Sequence, residues 1–131
     1  MGQDKALLHV HGAGGPDLLA RTHGLLAALL PQCWVSCRAG LPRAGHQCLA
    51  AGVLSALKAA QRQGFAAVLV ASCDMPFMDA PTLCKLLAAR NAAPAETLAT
   101  LFVDAASGRP EALVAVYETA SLPRFEKSLT F

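Results

Sequence analysis

Apolar residues along this chain follow two rhythms, one recurring every three to four positions and one running unbroken or alternating over four to seven. From Asp17 onward, Leu18, Thr22, Leu25 and Leu29 share one helical face, with Leu19, Leu26 and Leu30 beside them, and Pro31 ends the segment. The same spacing predicts a helix over about residues 51–63, with Val53, Leu57 and Ala60 inward and Gly64 at its close. Asp79 is a natural N-cap for a third helix, which has Pro81 in its first turn and Leu83, Leu86, Leu87 and Arg90 after it. A last helix is expected over residues 122–129. Strand-like runs fall at 6–10, 33–37, 66–71, 97–104 and 112–118. Glycine and proline punctuate residues 12–16 and 38–47 as loops, and 107–111 as the turn between the last two strands. Strands alternating with helices predict an α/β domain with a mostly parallel sheet.

One strand carries chemistry at its end. The run Ala66-Ala67-Val68-Leu69-Val70-Ala71 leads into Ser72-Cys73-Asp74-Met75-Pro76, so a buried strand delivers a single carboxylate to its C-terminal end. Open α/β sheets bind ligands in the crevice outside those ends. A lone carboxylate there suits Mg²⁺, a hard cation that takes oxygen ligands and is often shared with substrate phosphates. The same carboxylate would equally serve as a turn former before Pro76.

Composition narrows the classes. At 131 residues the chain has the size of one domain, and it is 54% hydrophobic and only 15% charged. Much of the excess is alanine, which favours helix more than it fills a core. No apolar run reaches the roughly 18–20 residues of a membrane span. Residues 1–5 (Met-Gly-Gln-Asp-Lys) lack a signal-peptide layout, so the expected compartment is the cytoplasm. A net charge of +2, scattered basic residues and few aromatics give no nucleic-acid footprint. Cysteines 33, 37, 48, 73 and 84 are odd in number and lack CxxC spacing, which predicts reduced thiols.

Other candidates are weaker. Lys5 stands beside Asp4 as a point charge for phosphates, or as an exposed terminal lysine. Arg109, within Gly108-Arg109-Pro110-Glu111, is either a hairpin residue or a reach toward an anionic group. His9 and His11 lack a third metal ligand at a diagnostic spacing. No nucleophilic triad, complete P-loop or dinucleotide fingerprint is present.

Taken together, the motifs resemble the MobA-like nucleotidyltransferases. Met1-Gly2-Gln3-Asp4-Lys5-Ala6-Leu7-Leu8 is similar to the family's R-M-G-x-D-K-x-L-L segment, and Cys73-Asp74-Met75-Pro76-Phe77 to its C-D-M-P-F segment. Gly108-Arg109-Pro110-Glu111-Ala112-Leu113 with Val116-Tyr117 is similar to its G-R-x-x-P-L…x-Y stretch. The resemblance implies one Rossmann-like domain over residues 1–131, of the nucleotide-diphospho-sugar transferase type. It implies transfer of GMP from GTP to molybdopterin, yielding the guanine dinucleotide form of the molybdenum cofactor and pyrophosphate. Lys5 would contact GTP phosphates, Asp74 would hold Mg²⁺, Ser36 and Gly52 would lie against the nucleotide, and Arg109 would face the pterin. Transient contacts with other molybdenum cofactor biosynthesis proteins are implied as well.

The chain also departs from the family pattern. The usual first strand and L-A-G-G-x-S-x-R phosphate loop do not occur in these 131 residues, nor does the C-terminal portion. The G-P-L-A-G segment appears as Cys48-Leu49-Ala50-Ala51-Gly52. A missing central strand would leave neighbouring backbone groups unpaired, at ~1–3 kcal/mol each where buried. Two alternatives therefore stand beside guanylyl transfer, a catalytically silent nucleotide-binding remnant and the related cytidylyltransferase.

Overall fold

The computed structural model describes residues 14–37, 48–50, 52–75 and 78–128. The expected strand at 6–10, Lys5, the loop at 38–47, and Pro76 and Phe77 lie outside them.

Helix α1 (Leu18–Leu29) starts where Asp17 accepts the Ala20 N–H at 2.7 Å. It passes through exposed Gly24 without a break. Strand β1 (Val35–Cys37) pairs in parallel with β2 (Cys48–Ala50). Helix α2 (Val53–Arg62) begins at Gly52, whose φ of 107° favours glycine. Strand β3 (Ala67–Ala71) leads to α3 (Ala80–Ala92), capped by Asp79, which accepts the Thr82 N–H at 2.9 Å. Strands β4 (Ala99–Val103) and β5 (Pro110–Glu118) follow, then a 3₁₀ turn and the short helix α4 (Leu122–Ser128).

The class is α/β, as expected, but the sheet is not mostly parallel among the described residues. Strands β3, β5 and β4 form one sheet in that order, with both neighbours antiparallel to β5. The crossover through α3 does leave β3 and β4 running in the same direction. The chain then turns back through residues 104–109 and places β5 between them. A tight connection can only join antiparallel strands, so the short turn decides the pairing. Within that turn Gly108 donates to the Asp104 carbonyl at 2.8 Å and Asp104 to the Arg109 carbonyl at 2.9 Å. Strand β2 was not anticipated, because three residues bounded by loop carry no period.

Central β5 is buried on both faces, from Val114 to Tyr117. Ala115 and Tyr117 join Leu57, Ala60, Val68 and Leu122 on the α2 and α4 side. Val114 and Val116 join Leu26, Leu83 and Leu86 on the α1 and α3 side. The result is a sheet with helices on both faces. Fully burying each large apolar side chain contributes about 1.5–3 kcal/mol, and Leu57, Leu83 and Leu86 are each at most 1% exposed.

Candidate functional site

The far edge of β3 meets a cavity of about 390 Å³. All of Ala67–Ala71 line it. Successive strand residues face opposite sides of a sheet, so a cavity touching every one of them lies along the strand's edge. Trp34 and Ser36, the latter in β1, line it too, which places the cavity between the two sheets. Backbone direction agrees. The Ser72 N–H donates to the Leu113 carbonyl at 2.9 Å and Thr119 to the Ala66 carbonyl at 2.8 Å. By the two-residue period of an antiparallel pair, Val68 and Val70 also aim their backbone groups at β5. Ala67, Leu69 and Ala71 therefore aim theirs at the cavity.

The cavity is lined mostly by apolar residues, with Gln32, Ser36, Gly52 and Ser72 among them. Ser36 stands in β1, Gly52 at the start of α2 and Ser72 just after β3. Ser36 Oγ accepts the Gly52 N–H at 3.3 Å, which ties the end of β1 to the start of α2. Helix α2 has no side-chain cap at that start. The structure thus brings two sequence-predicted residues, Ser36 and Gly52, into direct contact.

Asp74 lies two residues beyond Ser72, exposed, in the turn after β3. Ser72 Oγ donates a hydrogen bond to Asp74 Oδ1, and the Asp74 N–H reaches back to the same hydroxyl at 3.4 Å. A carboxylate has about four lone-pair positions, so one accepted bond leaves room for a cation. The described residues contain no cluster of three or more metal-ligating side chains. A single exposed carboxylate is a ligand that Mg²⁺ could use, since that ion keeps several waters and takes one or two carboxylates plus phosphate oxygens.

Sequence reasoning missed Ser72. A hydroxyl two residues before an acidic residue at a strand end is a serine-turn signal, but which way the hydroxyl turns is settled only in three dimensions. Arg109 is exposed in the β4–β5 turn and does not line the cavity. Continuing the β3–β5 register from Ser72 opposite Leu113 places this turn at the same end of the sheet as Asp74. Lys5 lies outside the described residues.

Cys33, Cys73 and Cys84 are not joined in disulfides, and burial pushes the Cys33 thiol up.

Comparison with known proteins places this arrangement. The model for the MobA-like NTP transferase domain matches residues 1–130. The chain belongs to the MobA-like NTP transferase family. The curated proteins contain no match to it. Family membership makes the chain a nucleotidyltransferase in class. The MobA-like domain here has no helix among its described residues long and apolar enough to cross a membrane.

Proposed function

We propose that this MobA-like domain transfers GMP from GTP to molybdopterin, forming the guanine dinucleotide cofactor and releasing pyrophosphate. The observation that carries the reading is the exposed Asp74 carboxylate, oriented by Ser72, which itself lines the intersheet cavity.

In this reading the guanosine lies toward Ser36 and Gly52, and the triphosphate runs toward Asp74. A molybdopterin phosphate oxygen attacks the α-phosphorus. The new P–O bond forms as the bond from that phosphorus to the bridging oxygen breaks, and the electron pair leaves with pyrophosphate. No protein nucleophile takes part. Asp74 would hold Mg²⁺, which would neutralise charge on the phosphates. Ser72 fixes the carboxylate's direction, Lys5 would add positive charge on the phosphates, and Arg109 would meet the pterin side.

A second reading is favoured by one observation. Among the described residues the cavity lining contains no lysine or arginine, as expected of a remnant that binds nucleotide without turning it over. Incubation of the chain with α-labelled GTP, Mg²⁺ and molybdopterin distinguishes the two. Guanylyl transfer predicts a labelled dinucleotide cofactor. Nucleotide binding without product, at high protein concentration, supports the remnant. Label transfer from CTP in preference to GTP would assign the cytidylyltransferase activity instead.

A further inference from the structure

The described residues on either side of Asp74 are tied to the rest of the fold. At the start, the Ser72 N–H donates to the Leu113 carbonyl of β5. At the finish, Asp79 caps α3. Between these points, Met75 and Met78 pack into the core cluster of Leu26, Leu83 and Leu86, and the Met78 N–H donates to the Met75 carbonyl at 3.1 Å. One further tie comes from a distant part of the chain. Arg21, on α1, donates through Nη2 to the Met78 backbone carbonyl. Its positive charge also helps hold the Asp79 carboxyl below its usual range, behind the two Thr82 hydrogen bonds. Arg21 Nη1 is buried and has no hydrogen-bond partner among the described residues.

We propose that Arg21 is a positioning residue for Asp74, pinning the loop that presents the carboxylate to α1. A guanidinium is suited to this, because its planar fork of donors is pre-organised and permanently charged. Burying its Nη1 with no partner is unfavourable, yet the side chain is spent on a backbone carbonyl four residues beyond Asp74. It sits on the helix whose Leu26 belongs to the core cluster that Met75 and Met78 pack against. The inference rests on the reading of Asp74 as the Mg²⁺ ligand, and its test separates the two.

The first arm needs no ligand. Amide hydrogen exchange of a peptide spanning residues 73–79 is compared in the wild-type chain, Arg21→Ala and Arg21→Lys. We expect exchange at least tenfold faster in R21A and largely restored protection in R21K, whose ammonium still donates to the carbonyl. Unchanged exchange in R21A overturns the proposal. The second arm titrates MgCl₂ at fixed GTP. We expect R21A to raise the Mg²⁺ half-saturation point five- to tenfold while GTP affinity without Mg²⁺ is unchanged, and R21K to stay within about threefold of wild type. A purely structural role would weaken both GTP terms together, and that result also overturns the proposal. If R21A does not fold, Arg21→Gln, too short to reach Met78, replaces it with the same expectations. Asp74→Asn is the control. Loss of Mg²⁺ dependence in D74N with no change in R21A refutes the positioning role alone. Retained Mg²⁺ dependence in D74N refutes the metal reading, and the positioning role with it.

Discussion

Two carboxylates close together in the chain do different work. Asp74 is presented outward with one oxygen held by Ser72, whereas Asp79 turns back to cap α3. The Thr82 hydroxyl donates to Asp79 at 2.6 Å and the Thr82 N–H at 2.9 Å, and together they hold the Asp79 carboxyl below the usual carboxylate range. Asp104 is lowered in the same way, by the Ser107 hydroxyl and the Ala106 N–H. A carboxyl lowered on folding contributes stability above its unfolded pKa of about 3.9 and loses it as pH falls through the folded value. Thermal stability is therefore expected to fall below about pH 4. Asp79→Asn should flatten part of that fall and lower Tm modestly near pH 7, since asparagine keeps the cap but loses what the ionised carboxylate adds. Melting curves from pH 3 to 7 check this. Asp74 could be singled out from the sequence because an unbroken apolar run ends at it. The part played by Ser72 could not, because it depends on a side-chain rotamer. For Arg109 the sequence allows a turn role or a binding role, and the residue stands exposed between β4 and β5.

At the scale of elements, the helices announced themselves and the sheet did not. Helices α1, α2 and α3 follow the apolar spacing, and the caps at Asp17 and Asp79 stand where the sequence placed them. Strand pairing depends on partners far apart in the chain, and no periodicity records that β5 returns between β3 and β4. Helix α3 is tied to β5 in two ways. Leu83 and Leu86 pack against Val114 and Val116, and Arg90 holds Glu118 through Nε at 2.7 Å and Nη2 at 2.9 Å. The apolar tie dominates. Leu86→Ala should lower unfolding free energy by about 2–5 kcal/mol, by lost transfer energy and the cavity left behind. Urea unfolding with an unchanged slope and a lower midpoint would show it.

Across the whole molecule, the described strands form two separate sheets, and the unpaired edge of β3 lines the cavity between them. Backbone groups at such an edge exchange with solvent unless something covers them. Amides of Ala67, Leu69 and Ala71 are accordingly expected to exchange much faster than those of Val68, Val70 and Ser72, which point to β5. Residue-resolved exchange by NMR measures this directly, and equal protection along β3 would mean that the edge is covered.

The central claim is that Asp74 holds the Mg²⁺ through which this MobA-like domain engages a nucleoside triphosphate. Calorimetric titration of GTP, with and without Mg²⁺, into the wild-type chain and Asp74→Asn tests it most directly. The structure leads us to expect Mg²⁺ to tighten GTP binding to the wild-type chain and to have no effect on binding to D74N, with equal metal-free affinities. The same Mg²⁺ enhancement in both proteins would contradict it.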